Sequence, residues 1–483
     1  MSKQIEQKTQ VSGLSADDKR VNRRRFMTSV AVGAGLAPLA AALGSKATAS
    51  VGQAVNDLCY GTVAPITPSD MRYLGALRVP DSGCRLDYSR GPLTGRRVGN
   101  ELRLFTTGHV LQGAPVAELA VDVAPSMNQL SAPRLRLVRN WGDVTGGKRL
   151  SWDATGAPRA QNLFEPAAIH WSERNQMLYW TYYDIYNVLH HPDFSLGGSR
   201  LNSDGTSTAY GPWRTFASGK YGPWRTINLA ENPVDGSMLC GSKIQSGNSI
   251  SPWGPDMWRG QYPTASTPSG LGSPDIQLSK YLTYYFQYVD NAGNFTTPIR
   301  SCRRPGTYIF EPTPVGEKTE IDPTKNNGVG SWTSMDQVNG MTWIEKGNKR
   351  GVLFTGRMVD GHVWYSNAGV GTLTCTHGIV APQGTTGPNA TGAHPFIAIY
   401  DADDLEAVAA GRLTDYTVQP TLIDAGQQFG CITAPVSREG SLGTFGGSYF
   451  DPVDSKLYVT ALEADATLGQ SYQLPLIHVW DIL

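Results

Sequence analysis

No basic tract, no cysteine cluster and no long apolar run marks this chain, and each absence removes a class of function. Its 41 Lys and Arg balance 41 Asp and Glu over 483 residues, and no segment gathers enough of the basic ones to track a phosphate backbone. Nucleic acid is therefore not an expected partner. The six cysteines, Cys59, Cys84, Cys240, Cys302, Cys375 and Cys431, form no CxxC pair and no Cys-His group at zinc spacing. No CxxCH, no GxGxxG opening a strand-helix unit and no EF-hand loop occurs, so attached haem, a dinucleotide fold and a helical calcium sensor are not expected. Sustained helical periodicity is nearly missing. The one clear helix is expected over 403–410, capped by Asp401 to Asp404, closed by Gly411 and lying outside the core.

The longest weakly apolar stretch, Ser29 to Leu43, is too short for a permanent membrane anchor. It follows Arg23-Arg24-Arg25-Phe26, and Ala47-Thr48-Ala49 supplies a small-x-small cleavage pattern. Residues 1–49 thus read as a cleaved twin-arginine (Tat) signal, with the Tat export machinery as the first partner and a periplasmic or secreted destination. With eight basic and three acidic residues in 1–49, the mature part keeps 33 basic and 38 acidic, a net charge of −5. Six cysteines in an oxidising compartment allow many pairings, and none is assigned.

What is abundant is turn chemistry: 54 Gly and 31 Pro, with aromatics at 10%. Five stretches repeat one form, a strand, a polar turn and a second strand, starting near residues 91, 168, 227, 340 and 447. Gly447 to Thr460, with its Asp451-Pro452 turn, shows the form most plainly, and 168–181 repeats it. Further strands follow several hairpins, at 116–123, 396–400 and 476–480. This inner-to-outer order fits an all-β fold, a β-propeller of five to seven blades, since the two widest gaps leave room for another blade each. Residues 50–71 then form a linker and 72–483 the propeller, with 73–79 closing the last blade beside 476–480.

The leader followed by repeated hairpins resembles the exported bacterial β-propeller proteins that carry a Tat signal. No motif within the repeats points to one enzyme family. The resemblance implies the propeller fold and a ligand at the channel mouth, and fold alone supplies no function.

A site at that mouth draws on residues just before or within each first strand: Tyr88 and Arg90, Glu165 and His170, Asp336, Gln337 and Asn339, Thr444 and Tyr449. Tyr183 and Asp184 close an aromatic run, Tyr179 to Asn187, in which ring faces stand beside hydrogen-bonding groups, as a sugar requires. Strict alternation in that run equally predicts that Trp180 and Tyr182 pack a neighbouring blade. Glu165, Asp184 and Asp336 are the carboxylates available for glycoside hydrolysis, while His170 and Tyr183 suit proton transfer in an elimination. His109 and His362 at strand ends, Trp213-Arg214 within a duplicated Tyr-Gly-Pro-Trp-Arg-Thr unit, and Trp253 in a similar loop complete the expected ligand-binding set. Calcium, held by Asp-bearing turns such as 401–404, is the metal to expect first if the protein holds one. The expected function is binding of a carbohydrate or similar polar polymer, with cleavage or a purely scaffolding role left open.

Overall fold

At five places the chain runs apolar-polar, turns on Gly, Asn, Asp or Pro, and runs back. In the computed structural model each of these hairpins opens one blade. The structure describes residues 63–483 apart from 88, 109–112, 150–163, 185–193, 218–227, 242–254, 283–300, 304–309, 312–331, 333–335, 366–387, 432–443, 466 and 468–473. The expected signal with Arg23, Arg24, Arg25 and Phe26 lies outside the described residues, as does most of the expected linker.

After a two-residue strand β1 (Ala64–Pro65) and the strand β2 (Met71–Arg78), the blades follow in order. Blade I is β3 (Leu93–Val98), β4 (Glu101–Thr107), β5 (Val116–Ala120) and β6 (Arg136–Asn140). Blade II is β7 (Phe164–Ser172), β8 (Met177–Asp184), β9 (Phe194–Leu201) and β10 (Ser207–Ala217). Blade III is β11 (Asn228–Glu231), β12 (Met238–Gly241), β13 (Met257–Gly260) and β14 (Ile276–Leu282), and β14 also pairs in parallel with β10.

Two short strands, β15 (Ser301–Arg303) and β16 (Phe310–Glu311), precede blade IV. That blade is β17 (Gln337–Lys346), β18 (Lys349–Tyr365), β19 (Pro388–Asp401) and β20 (Thr421–Asp424), with β15 and β1 added along β18. Blade V is β21 (Phe445–Asp451), β22 (Lys456–Asp465) and β23 (Leu474–Ile482), completed by β2 from the N-terminal side. The register Met71↔Ile482 to Arg78↔Leu476 is the closure expected from the sequence.

Five separate apolar cores prove the ring. Phe105 and Val116 of blade I meet Ile169, Trp171 and Trp180 of blade II, and Met177 and Tyr179 of blade II meet Leu229 and Met238 of blade III. Leu239 and Tyr281 then meet Val338 and Phe354 of blade IV, Leu353 and Ile397 meet Phe445 and Leu457 of blade V, and Ile477 and Val479 meet Leu93 and Leu104 of blade I. Successive strand residues point to opposite faces, so alternate positions fill the cores on either side of each blade. The innermost strands β3, β7, β11, β17 and β21 touch in one closed cycle. Among the described residues the ring closes with five blades, and the described parts of the two wide gaps hold β15 and β16 after blade III and two helices beside blade IV.

Side-chain and main-chain bonds draw these inner strands together. Gly447 N donates to Gly91 O at 2.7 Å, Thr355 Oγ1 to Gly446 O at 2.7 Å, Asn339 Nδ2 to Phe445 O at 2.8 Å and Trp171 N to Thr94 Oγ1 at 3.0 Å. A Cβ on Gly447 would stand 2.3 Å from Leu93 N, so only glycine permits that approach.

The expected helix exists as α1 (Ala402–Ala409), with Asp401 accepting from Asp403 N at 2.9 Å and Gly411 beyond its end at φ +70°. Its place differs from expectation: Ala402, Leu405 and Val408 are part of the core between blades III and IV. A spacing of three residues puts them on one face, which sinks into that core. A second short helix, α2 (Ala425–Phe429), packs on blade IV. Cys84, Cys240 and Cys431 are buried and free, and burial pushes the Cys84 thiol up to about 11.

Blades V and I are also tied by charge, because Arg97 on β3 donates from Nε to Asp451 Oδ1 at 3.2 Å and again from Nη2 to Oδ2. Asp451 is buried and caps its own turn through Val453 N and Asp454 N. Replacing Asp451 with Ala leaves Arg97 the exposed Asp454 as its one remaining anion, beside the Asn100 carbonyl. We expect a loss of about 3 kcal/mol in chemical denaturation, with Asp451→Asn losing less.

Candidate functional site

The inner strands enclose an axial cavity of about 480 Å³ to which all five blades contribute. Leu93 and Thr94 come from β3, His170 from β7, Leu229 to Glu231 from β11, Met341 to Trp343 and Glu345 from β17, and Ser448 to Phe450 from β21. Pro233, Val234, Gly347 and Pro452, which line its rim, belong to the inner hairpin turns. The cavity therefore sits toward the end where the inner strands finish. The sequence had pointed to the end where they begin.

His170 and Glu231 dominate its polar wall. The imidazole lies parallel to the Tyr262 ring, centroids 5.6 Å apart at 8°, and Tyr262 is itself fixed by its hydroxyl donating to Ala230 O at 2.8 Å. His170 Nε2 stands 3.6 Å from Glu231 Oε2, an ion-pair distance when the ring is protonated, and neither atom has a hydrogen-bond partner. Burial alone would raise the Glu231 carboxyl. His170, Ser172 and the Arg174 charge outweigh it and hold the group below the ordinary carboxylate range.

Three aromatic residues, Trp343, Tyr449 and Phe450, also belong to the lining. Trp343, 6% exposed, has an unpartnered Nε1, and Ser448, 5% exposed, has an unpartnered Oγ. The Tyr449 ring occupies the space over Gly95, where a Cβ would come within 2.5 Å of it, and burial pushes its phenol well up. Polar atoms withheld from water and from the protein are costly unless something else satisfies them.

At the other end of the channel the inner strands begin among different chemistry. Asp336 is fully buried, and Arg357, in register with Gln337, is brought down to about 10 by burial, with Asp336 opposing that shift and Arg90 adding to it. Asn228, 1% exposed at the start of β11, has no partner for either side-chain atom.

The expected acid-base set is consequently split along the channel. Glu165 is paired through the main chain with Tyr183, and Phe164 with Asp184, at the start of β7. Five residues separate Glu165 from His170, roughly 16 Å at about 3.3 Å per strand residue. The side chains of Glu165, Tyr183, Asp184 and His362 lie outside the described residues, as do His109 and Trp253. Among the described residues the structure joins His170 to Glu231 and leaves Asp336 with the arginines. Sequence reasoning missed Glu231, although it ends the inner strand of the third repeat as His170 nearly ends that of the second.

Two other expectations need correction. Trp213 and Arg214 are on β10, the outermost strand of blade II. Trp213 is buried with its indole N–H donating to Thr267 O at 3.2 Å, and Arg214 pairs with Asp275, so both are spent on blade packing away from the axis. The Asp401 to Asp404 run caps α1 and receives Arg350 at Asp403, and among the described residues no group of three His, Cys, Asp or Glu is arranged to hold a metal. Trp180 and Tyr182 are core residues against blade I, as their alternation predicted, and Tyr179 is buried on the other face in the core with blade III.

No family model and no curated protein sequence matches the chain. Among solved structures it is similar to a putative glycoside hydrolase from Bacteroides ovatus, at 10% identity over 87% of this chain and 94% of that one, TM-score 0.36. It is also similar to a Bacillus subtilis arabinanase (13% identity, 84% and 96% covered, TM-score 0.33) and to an aldose sugar dehydrogenase from Streptomyces coelicolor (10%, 84% and 96%, 0.33). The assignment as a five-bladed β-propeller rests on strand order, register and the five interblade cores.

A depressed Glu231 pKa makes its ionised form a stabilising group above the ordinary value of 4.5, and that contribution is lost as pH falls through the lowered folded value. The stability gap between the protein and Glu231→Gln should therefore be present at neutral pH and close as pH falls below the ordinary value of 4.5 and through the lowered folded one. Denaturation midpoints of both across that range check this.

Proposed function

We propose that the protein is exported and that its axial cavity binds a carbohydrate unit or a similar polyhydroxylated group. The observation that carries this reading is one cavity lined both by Trp343, Tyr449 and Phe450 and by residues whose buried polar atoms lack partners: His170 Nε2, Glu231 Oε2 and Ser448 Oγ. A sugar ring presents C–H faces to aromatic surfaces and hydroxyls that donate and accept at its edge. A cavity of about 480 Å³ is within the range of small-ligand sites.

Binding is the function these groups support directly. Hydrolysis would need two carboxylates flanking one bond, and the expected ones, Glu165, Asp184 and Asp336, belong to the end of the channel where the inner strands begin, away from the cavity of His170 and Glu231. Isothermal titration of the mature protein against neutral, amino and acidic oligosaccharides tests the reading. His170→Ala and Trp343→Phe should each weaken binding about tenfold while the fold is retained by circular dichroism. Absence of binding across the whole panel would refute it. Reducing ends or ultraviolet-absorbing unsaturated products in the same samples would reveal turnover.

Export rests on the leader. Among the described residues no helix is long and apolar enough to cross a membrane. Converting Arg23, Arg24 and Arg25 together to Lys should leave unprocessed chain in the cytoplasm, read by cell fractionation and the size of the product.

A further inference from the structure

The charge around the axial cavity chooses among sugars. Its lining holds two carboxylates, Glu231 and Glu345, and no Lys or Arg. Cations on the same strands and turns are engaged elsewhere: Arg97 with Asp451 and Asp454, Arg174 with Asp235 O, and Lys346 with Ile482 O. The cationic groups nearest the lining, His170 and Arg174, already act on Glu231. Glu231 Oε2 is buried, stands 3.6 Å from His170 Nε2 and makes no closer hydrogen bond within the protein. Ser448 and Trp343, both more than nine-tenths buried, line the same space with polar atoms also unsatisfied.

We infer that the cavity selects a sugar bearing a protonated amine, with Glu231 Oε2 receiving the ammonium and the Trp343 and Tyr449 rings flanking it. This deepens the carbohydrate reading and rests on it. An ammonium brings three donors and no acceptor, which suits an ionised carboxylate and an aromatic face together. Charge-assisted bonds of this kind are stronger than those a neutral hydroxyl makes. A uronic acid meets two like charges instead.

The test compares glucosamine tetramers, N-acetylglucosamine tetramers and galacturonate tetramers by isothermal titration on the intact mature protein. Glucosamine oligomers should bind about tenfold more tightly than N-acetylated ones, galacturonate should not compete, and the preference should shrink as salt rises. Glu231→Gln should remove the preference, bringing glucosamine binding down to the level of the N-acetylated oligomers. Should that variant misfold, the wild-type ranking and its salt dependence decide the matter alone. Equal binding of amino and N-acetylated oligomers, or tight calcium binding that Glu231→Gln abolishes, overturns the inference and leaves the carbohydrate reading standing. No binding by any of the three, or by neutral oligomers, defeats both.

Discussion

Everything in this molecule depends on β2 pairing with β23. Those strands lie some four hundred residues apart, yet they share one ladder from Met71↔Ile482 to Arg78↔Leu476. Without it β23 would be an open edge and blade V could not hold its place between IV and I. The entropic cost of closing so long a loop grows only logarithmically, while closure completes two apolar cores at once. Charges fasten the seam: Arg72 pairs with Asp481 on the ladder itself, and Lys349 of blade IV pairs with Asp70 just before β2.

A closed ring brings five inner strands to one axis, and that convergence makes the cavity. No blade owns it. His170 and Glu231 come from neighbouring blades and meet only because β7 and β11 run side by side, with Tyr262 of blade III stacked behind the imidazole. Glycines at the approach, Gly447 against Leu93 and Gly95 beneath Tyr449, let main chain and rings come closer than a side chain would allow. The same convergence divides the titratable groups, so that the buried Arg357 and Asp336 occupy one end and the His170–Glu231 pair the other.

Much of the fold was legible in the residues. All five hairpin starts correspond to inner strands, and 73–79 overlaps the closing strand, because alternation and turn chemistry are local signals that survive in any blade. The helix over 402–409 was likewise announced by its Asp cap and Gly411. Its burial was not, since Leu405 and Val408 look the same whether they cover a core or belong to a surface helix with a modest apolar face. Trp213-Arg214 failed for a related reason: an aromatic beside a cation can line a mouth or pack a blade, and only strand order put it on the outermost strand.

The sequence by itself determined the strand-turn-strand unit, its fivefold recurrence and the closing strand, for these depend on neighbours along the chain. The tertiary structure decided the blade number, the end of the channel at which a cavity forms and the identity of the carboxylate beside His170. Those depend on which residues from distant repeats arrive at one axis, and register and ring closure set that meeting. His170 was visible as a rare imidazole on an inner strand. Glu231 became its partner only when blade II was laid against blade III.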